Sequence, residues 1–482
     1  MLRTGEGCCA ELESIRWHLV PYTRGIGIEI GRGGYKAYPH FLGIREEGDD
    51  LGGAAPEVVV KSFHDLGDAV KDESLDFVFA WGAIGFSREI VARLLKPGGF
   101  LIDCSTSDGA RWGAVSVKGA DGMLEYSCPL VPPRREGKTA CVVRYGAIGD
   151  QMQSSALLPE LKRQGYHVTW MCEPLGEELL RHDPHIDAFY VQGKDQVPNH
   201  ELQAYWAVQR EKYDKWINLC ESVEGTLLAI PGRMIYGMSH SARRALCDHN
   251  YLEFQALMAE QPFHPEHRFY PSAEESAWAD ARLAEIGEAV NPGWSIGQRW
   301  MRPFVVMWAT AGSGPNKVYP HMDAVMARIL LEIPNAHIVT VGGMEGKILE
   351  AGWEDEPRVT CMSGEAGIRD VLALAQRCDL VIGPETGVLN AVAFESNAKI
   401  VFLSHSSHEN LTKHWNNTDA LHSASTPCYP CHQMHSTFEH CAEHEPSGTA
   451  MCQWQLGPDG VWDAVKRAYV AWGSARRILE AA

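Results

Sequence analysis

The 482-residue chain has no long hydrophobic segment and no excess of basic residues. No apolar run approaches the ~20 residues needed to cross a bilayer, so the sequence predicts no membrane span. Lysine and arginine number 43 against 62 aspartate and glutamate residues, which gives a formal net charge of −19. Such an acidic chain lacks the broad basic surface of a phosphate-backbone binder, which disfavours nucleic acid as a partner unless a cleft is locally basic. The amino-terminal segment has neither the apolar core nor the cleavage site of a signal peptide, and we expect a cytoplasmic protein.

Cysteine, by contrast, is plentiful. In a chain expected in a reducing compartment, the 14 cysteines are better explained as thiols or metal ligands than as disulfides. The length suits about three domains. The 46 glycines and the 45% share of hydrophobic residues fit a loop-rich α/β enzyme and not a disordered or repeat protein.

Residues 1–130 alternate short apolar segments with glycine turns, which is the pattern of a Rossmann-like sheet. The segments EIGRGG, LDFVFA and LLKPGGFLID follow one another in that order. From about Tyr22 to Ser107 they resemble the class I S-adenosylmethionine-dependent methyltransferases. The resemblance implies that S-adenosylmethionine, if the domain is active, is bound by Glu29, Gly31, Gly33 and Asp76.

Two departures from that family predict a degenerate methyltransferase-like domain. The acidic residue that usually ends the second strand and holds the ribose hydroxyls is missing, since Arg45 stands there and Glu46 comes one residue late. The segment Trp81–Ile84 also lacks the acidic or histidine residues often found after the fourth strand. An active methyltransferase domain is the alternative.

The segment CVVRYGAIGD, residues 141–150, combines a strand, a glycine turn and a carboxylate. Its apolar run predicts a buried strand, a turn bracketed by Gly146 and Gly149 follows, and Asp150 opens an apolar-periodic helix. A carboxylate and several backbone N–H groups are therefore expected at the carboxyl end of a strand, where open α/β sheets bind ligands. In the alternative interpretation Asp150 only caps the helix.

Two further α/β parts are predicted, at residues 135–300 and 301–482. The predicted strands are 141–143, 167–172, 188–191 and 215–219 in the first of these, and 305–309, 337–342, 379–382 and 399–403 in the second. Polar or glycine-containing loops follow several of these strands. The pattern predicts two Rossmann-like halves that face each other across a cleft.

Four motifs in these parts, VVRYGAIGD, GYHVTWMCEP, PHID and DLVIGPETGVLNAVAF, resemble the ADP-heptose:lipopolysaccharide heptosyltransferases. The similarity extends from Lys138 to about Ala471. It implies an α/β chain with the GT-B fold, two facing Rossmann-like domains, preceded here by a small methyltransferase-type domain. A closer similarity is to phage-encoded fusions of the same two kinds of domain.

The resemblance also implies an inverting, metal-independent transfer of a heptose or other hexose-like sugar from a nucleotide diphosphate, with an ADP-sugar favoured. Asp150 is then the general base for an acceptor hydroxyl, and Lys317 neutralises the departing diphosphate. Many family members have Asp in place of Glu385 and His in place of Asn390, which leaves the donor sugar open. A solvated loop lysine and a capping carboxylate are the alternatives for Lys317 and Glu385. The donor-binding residues implied are Gly149, Glu385, Thr386, Gly387, Asn390 and Ser406.

The carboxyl-terminal part also carries a cysteine loop, residues 426–454, with the spacing C-x2-C-x9-C-x10-C. Four cysteines this close together predict a structural tetrathiolate centre for zinc, or for iron. The loop is similar to the iron-binding finger of the autotransporter heptosyltransferases. Unmetallated buried thiols are the other interpretation. The predicted ligands are Cys428, Cys431, Cys441 and Cys452.

Three classes of function compete on this evidence. The first is a glycosyltransferase that uses a nucleotide sugar, and it is favoured by the intact Asp150, Lys317 and Thr386–Gly387. The second is an S-adenosylmethionine-dependent methyltransferase that uses the GT-B half as a binding platform. The third is a non-catalytic binding protein. The acceptor is open among a glycan, a lipid-linked glycan, a protein and a modified nucleobase, and a homo-oligomer is compatible with the sequence.

Overall fold

The structure is a computed structural model that describes residues 15–31, 41–46, 58–81, 85–104, 113–130, 135–193, 196–220, 222–291 and 302–481. The chain divides into two compact units. The first contains Met1–Cys141, Met171–Pro174 and Phe189–Trp216, and the second contains Val142–Trp170, Leu175–Ala188 and Ile217–Ala482. Within the described ranges, no helix has the length and apolar character needed to cross a membrane. The three-part division at 1–130, 135–300 and 301–482 stays a prediction.

The first unit contains a seven-stranded sheet with the order β3-β2-β1-β4-β5-β6-β7. Strands β1 to β5 are parallel, whereas β6 and β7 continue the sheet as antiparallel strands. The parallel part confirms the predicted Rossmann-like sheet, and the antiparallel pair was not predicted. The strands are β1 (Gly27–Gly31), β2 (Leu42–Glu46), β3 (Val58–Val60), β4 (Leu75–Trp81), β5 (Leu95–Cys104), β6 (Ala114–Lys118) and β7 (Leu124–Pro129), with helices α1 (Leu66–Ala69) and α2 (Arg88–Leu94).

The segment Lys96–Gly99 corrects one boundary in this sheet. The sequence predicts that it ends a helix, whereas α2 ends at Leu94 and β5 already begins at Leu95. The pairing of β4 with β5 shifts register between Leu75 and Phe77. This irregularity accommodates the Pro-Gly-Gly segment within the strand, because an interrupted ladder does not require an N–H from proline.

A four-stranded sheet with the order β10-β9-β8-β11 has residues in both units. Its strands are β8 (Thr139–Val143), β9 (His167–Cys172), β10 (Ala188–Val191) and β11 (Lys215–Asn218). These strands confirm the predicted ones to within two residues at each end. The helices of this region are α3 (Ile148–Ser155), α4 (Leu158–Arg163), α5 (Pro174–Leu180), α6 (Leu202–Arg210), α7 (His240–Cys247), α8 (Tyr251–Met258) and α9 (Ala273–Val290).

The second unit contains a six-stranded, wholly parallel sheet with the order β14-β13-β12-β15-β16-β17. The strands are β12 (Phe304–Ala309), β13 (Ala336–Val341), β14 (Val359–Cys361), β15 (Leu380–Pro384), β16 (Ala398–Phe402) and β17 (Thr418–Leu421). The helices are α10 (Met322–Glu332), α11 (Lys347–Glu350), α12 (Ile368–Ala375), α13 (Gly387–Ala391), α14 (Met451–Gln455) and α15 (Pro458–Ala481), and a short hairpin joins β18 (Glu443–His444) to β19 (Thr449–Ala450). This strand order is that of a doubly wound fold, which binds ligands where the order reverses.

The core around this sheet is built from buried apolar side chains. Every side chain of β12 is buried, as a strand covered by helices on both faces requires. Phe304 and Trp308 belong to a cluster of buried apolar side chains that α15 completes with Val461 and Trp462. A second contact is polar, because the buried Arg369 of α12 pairs with the two oxygens of Glu275 on α9, at 2.7 and 2.9 Å.

Candidate functional site

Four loops at the ends of paired strands form the candidate site, and all lie in the second unit. In the four-stranded sheet β8 lies next to β11, and in the six-stranded sheet β12 lies next to β15. Each pair marks the point where strand order reverses, so the loops that follow these strands flank a binding crevice. Those loops carry Arg144–Asp150, Leu219–Glu224, Thr310–Lys317 and Glu385–Gly387.

The turn after β8 fixes the Asp150 carboxylate against the start of helix α3. Gly146 has a φ of 120°, and a Cβ at this position would lie 2.7 Å from Asp150 Oδ2. Only glycine satisfies both constraints. Asp150 is the third residue of α3, and its Oδ2 accepts a hydrogen bond from the Ala147 N–H at 2.9 Å. The helix-capping contact of Asp150 is therefore present, and it uses one of the two carboxylate oxygens.

The other Asp150 oxygen binds a buried arginine that the sequence analysis did not single out. Arg144 is only 1% exposed, and its Nη2 lies 2.5 Å from Asp150 Oδ1. Nη2 also donates to Glu224 Oε1 at 2.9 Å, and Nη1 donates to Glu224 Oε2 at 3.1 Å and to the Leu219 carbonyl at 3.0 Å. The Asp150 and Glu224 side chains keep 22% and 24% of their surfaces exposed. One guanidinium thus bridges two carboxylates that remain accessible from the crevice.

The surroundings of Asp150 raise its pKa above the ordinary value for aspartate. Burial makes the largest contribution to this increase, and the negative charge of Glu224 adds to it. The positive charge of Arg144 and the hydrogen bond from Ala147 act in the opposite direction without cancelling it. A carboxylate with a raised pKa is a stronger base, which suits proton abstraction near neutral pH.

Helix α13, after β15, packs closely on α3. A Cβ on Gly387 would lie 2.5 Å from the Ile148 Cβ, and a Cβ on Gly149 would lie 3.1 Å from the Asn390 Nδ2. Gln153 Nε2 donates to Asn390 Oδ1 at 2.7 Å. Three of the predicted donor-binding residues, Gly149, Gly387 and Asn390, therefore form the contact between the two helices. Their packing brings the amino end of α13 next to that of α3.

Thr386, which immediately precedes α13, has a buried hydroxyl at this junction. Within the described part of the chain its Oγ1 has no hydrogen-bond partner. Buried hydroxyls are normally paired, so this atom is a candidate for contact with a bound molecule.

The predicted donor residues Glu385 and Ser406 bind each other. Glu385 is 4% exposed, and its carboxylate accepts hydrogen bonds from the Ser404 N–H at 2.5 Å and the Ser406 hydroxyl at 2.9 Å, with His405 Nδ1 at 3.0 Å. Burial alone would raise the pKa of Glu385, but His405, the charge of Lys317 and the hydrogen bonds from Ser404 and Ser406 together hold that pKa below its ordinary value. Glu385 is thus an ionised buried carboxylate that fixes the loop 404–406. It does not cap α13, since these hydrogen bonds lead to the loop.

Lys317 lies in the loop after β12 and supplies an uncommitted positive charge. Its side chain crosses Gly312, where a Cβ would lie 2.6 Å from Lys317 Cδ. The neighbouring Asn316 anchors this loop by donating to Ser404 Oγ at 2.8 Å. Across the ranges described, the Lys317 ammonium has no hydrogen-bond or ion-pair partner, and its charge reaches the buried Glu385. The loops after β12, β15 and β16 are therefore joined through polar side chains.

Sequence reasoning missed three residues of this site: Arg144, Glu224 and Tyr251. Tyr251, at the start of α8, is buried and its hydroxyl lies 3.4 Å from Ser406 Oγ. Nearby Glu385, Asp150 and Glu224, together with burial, raise the pKa of Tyr251. The signal for Arg144 is a cation directly after an apolar strand. Glu224 and Tyr251 carry no comparable local signal.

The structure does not assemble the predicted metal centre in the cysteine loop. Cys428 is exposed, whereas Cys431 and Cys452 are buried, and no three His, Cys, Asp or Glu side chains among the described residues are placed to hold one ion. Burial raises the pKa of Cys431 to about 12 and that of Cys441 to about 11. Among the described residues, the four predicted ligands are therefore not gathered around one position for an ion.

The cysteine loop instead packs on the segment that precedes α8. The Ala229 N–H donates to the His432 carbonyl at 2.7 Å, and the Met434 N–H donates back to the Ala229 carbonyl at 2.9 Å. Arg243 Nε donates to the Cys431 carbonyl at 3.2 Å. Backbone groups of the loop thus attach it to residues 229–243.

Of the residues predicted to bind S-adenosylmethionine, Glu29 and Gly31 both contact Trp81, whereas Asp76 lies apart from them. Glu29 is fully buried and accepts a hydrogen bond from Trp81 Nε1 at 2.8 Å. A Cβ on Gly31 would lie 2.6 Å from the same indole ring. Asp76 lies at the amino end of β4, where its carboxylate accepts hydrogen bonds from the Ile26 N–H and the Lys96 ammonium. Gly31 lies at the carboxyl end of the neighbouring parallel strand β1, so the two residues lie at opposite ends of their strands. Gly33 and the side chain of Arg45 lie outside the described residues.

The chain matches no protein-family model and no curated protein. Similar solved structures include the family 9 glycosyl transferase from Veillonella parvula, with 14% identity and a TM-score of 0.48 over 70% of this chain and 99% of that one. The ADP-heptose lps heptosyltransferase II from E. coli has 14% identity and a TM-score of 0.46 over 70% and 100% of the two chains. The iron-containing dodecameric glycosyltransferase TibC from enterotoxigenic E. coli has 9% identity and a TM-score of 0.44 over 75% and 83%. Similarities of this size establish neither a family nor an activity for this chain.

Proposed function

We propose that the protein is an inverting glycosyltransferase that moves a sugar from a nucleotide-diphosphate donor to an acceptor hydroxyl, with Asp150 as general base. The observation that carries this proposal is the Arg144–Asp150–Glu224 arrangement. It presents a positioned, partly exposed carboxylate with a raised pKa at the strand-order reversal of an α/β sheet. The Lys317 ammonium and the Thr386 hydroxyl, which have no partner within the described residues, belong to the loops of the adjoining sheet.

In the proposed reaction the Asp150 carboxylate accepts the proton of the acceptor hydroxyl as its oxygen attacks the anomeric carbon. The bond between that carbon and the diphosphate oxygen breaks, and the bonding electrons leave with the diphosphate. Attack from the face opposite the leaving group inverts the configuration. In this proposal the Lys317 ammonium and the Thr386 hydroxyl stabilise the charge that develops on the diphosphate. The residues that hold these groups in place are Gly149, Glu385, Gly387, Asn390 and Ser406.

We favour an ADP-sugar donor, on the resemblance of the VVRYGAIGD and DLVIGPETGVLNAVAF motifs to those of heptosyltransferases. Glu385 and Asn390 contribute to donor specificity by positioning. Glu385 fixes the loop 404–406, and Asn390 holds α13 against α3.

The first test is the substitution Asp150→Asn, assayed as ADP release from ADP-sugars in the presence of glycan and protein acceptors. We expect transfer to fall by about 10²–10⁴-fold, the usual contribution of a general base. Donor affinity, measured by calorimetry, should be retained, because the proposed diphosphate contacts are made by other residues. Asp463→Asn on the exposed part of α15 is the matched control. Transfer at the wild-type rate in Asp150→Asn would remove Asp150 from this role.

A further inference from the structure

We propose that Glu224 is a positioning residue that sets the basicity of Asp150 through Arg144. This inference rests on the proposed function, since it assigns a role to a neighbour of the general base. Arg144 holds Asp150 by one hydrogen bond through Nη2 and holds Glu224 through both Nη1 and Nη2. The guanidinium therefore makes two hydrogen bonds to Glu224 and one to Asp150.

A charge count shows why a second carboxylate is useful here. One guanidinium between two carboxylates leaves a net charge of −1, and a proton taken up by Asp150 brings the cluster to zero. Without Glu224, the pair of Arg144 and Asp150 would already be neutral. Proton uptake by Asp150 would then leave an unpaired guanidinium that is 1% exposed, which is unfavourable. Glu224 therefore offsets part of the weakening that the charge of Arg144 imposes on the base it orients.

Two hydrogen bonds of Arg144, one from its side chain and one to its backbone carbonyl, involve neither carboxylate, so we expect the effect of Glu224 to be transmitted by charge and not by movement. Nη1 donates to the Leu219 carbonyl at 3.0 Å, and Gln151 Nε2 donates to the Arg144 carbonyl at 3.0 Å. These bonds do not involve Asp150. A change at Glu224 that preserves its shape should therefore leave the guanidinium in place while altering the field at Asp150.

The groups that face this cluster from the surrounding elements are few. Cys220 follows β11 and lies close enough to affect Arg144, and Tyr251 of α8 feels the charges of Asp150 and Glu224. Helix α13, which packs on α3, presents the neutral Asn390. Beyond it, the ionisable groups of the adjoining loops are Glu385, Lys317 and His405, and burial lowers the pKa of His405 to about 4. Arg144 lowers the pKa of Asp150, and Glu224 raises it.

The test is the pH dependence of sugar transfer by Glu224→Gln. The substitution removes a negative charge that raises the pKa of Asp150, so Asp150 becomes ionised at lower pH. We expect the acidic limb of the profile of kcat/KM against pH to move by about one pH unit toward lower pH. We also expect the plateau rate to fall several-fold, because the base is weaker. Glu285→Gln, an exposed position on α9, is the matched control and should leave the limb unmoved. A purely structural role for Glu224 would lower the rate equally at all pH values without moving the limb, and that result would overturn the inference.

A second measurement separates this inference from the proposed function. Carbodiimide couples an amine to protonated carboxyls, so the pH at which Asp150 becomes unreactive, read by peptide mass spectrometry, reports its ionisation without any transfer assay. We expect this midpoint to move toward lower pH in Glu224→Gln by the same amount as the kinetic limb, and Asp150→Asn identifies the labelled peptide. If the midpoint moves but no donor is turned over, the inference holds and the proposed function fails. An unchanged midpoint refutes the role of Glu224 whatever the activity.

Discussion

Glu385 serves the candidate site without being available to a ligand. Its carboxylate is already bound by the loop 404–406, through Ser404, His405 and Ser406. Replacing it by glutamine keeps the shape but puts an amide N–H₂ where acceptors are required, which leaves buried donors unpaired. We expect Glu385→Gln to lower the free energy of unfolding by about 1–3 kcal/mol in urea titrations. Donor KM should rise more than kcat falls, because the loop is displaced.

The pH dependence of stability provides the check on this prediction. The pKa of Glu385 is depressed in the folded protein, so its stabilising contribution is present above the ordinary glutamate pKa of about 4.3 and is lost as the pH falls through the lower folded value. The wild type should therefore lose stability in this acidic range more steeply than Glu385→Gln. Glu365→Gln, which changes an exposed side chain, should behave like the wild type. Parallel pH profiles for Glu385→Gln and the wild type would contradict the ionised, loop-binding role.

Among single residues, the sequence predicts those that lie in local motifs. It misses those whose contacts depend on the pairing of strands that are far apart in the chain. Asp150 follows a strand and a glycine turn, and Lys317 follows another strand, so both could be named from spacing. Glu224 meets Arg144 only because β11 lies beside β8, which no local pattern encodes. The four predicted metal ligands are not brought together in the described structure for a related reason. Cysteine spacing indicates proximity along the chain, whereas burial of the thiols and the exposure of Cys428 depend on the tertiary fold.

Among the elements, the contact between α3 and α13 links the base to the proposed donor loop. A Cβ on Gly387 would lie 2.5 Å from the Ile148 Cβ, so Gly387→Ala must separate the two helices. We expect this substitution to lower the free energy of unfolding by about 1–3 kcal/mol, as overpacking of a close contact does. Transfer should fall more than the loss of stability explains, because Asp150 moves away from Thr386.

The control for this helix contact is Gly473→Ala in α15, where an added methyl group meets no atom within 4 Å. That variant should be as stable as the wild type or slightly more so, because alanine favours helix. Denaturation midpoints and transfer rates of the two variants provide the comparison. Equal stability and equal transfer in Gly387→Ala and Gly473→Ala would show that the helices do not need their close approach.

The strands were predicted well because buried parallel strands are short apolar runs that begin and end at turns. β9 and β10 match their predicted ranges. The antiparallel strands β6 and β7 were missed since their exposed side chains, at 124–129 above all, break the apolar pattern. The residues predicted to bind S-adenosylmethionine were inferred from the order of motifs along the chain. That order does not fix at which end of a strand each residue lies.

For the whole molecule, the two candidate ligands make opposite predictions about thermal stability. A ligand that binds only the folded state adds RT ln(1 + [L]/Kd), which is about 2.7 kcal/mol at one hundred times Kd. An ADP-sugar at saturating concentration should therefore raise the melting temperature by several degrees, and ADP-, UDP-, GDP- and CMP-sugars should rank by donor preference. S-adenosylmethionine should produce no increase, because Glu29 is fully buried against Trp81 and the Trp81 indole covers Gly31.

Variants of Lys317 and Trp81 distinguish between these two ligands. Lys317→Met keeps the length of the side chain but removes the charge, so it should abolish most of the ADP-sugar shift. The melting temperature of the free protein should fall slightly, because the charge that helps to keep the buried Glu385 ionised is lost. Trp81→Phe retains an aromatic ring but loses the N–H that binds Glu29, and it should not alter the ADP-sugar shift. Stabilisation of the wild type by S-adenosylmethionine alone would favour the methyltransferase alternative over transfer of a sugar. A full ADP-sugar shift in Lys317→Met would instead place the diphosphate on other residues, since the free ammonium would then contribute nothing to donor binding.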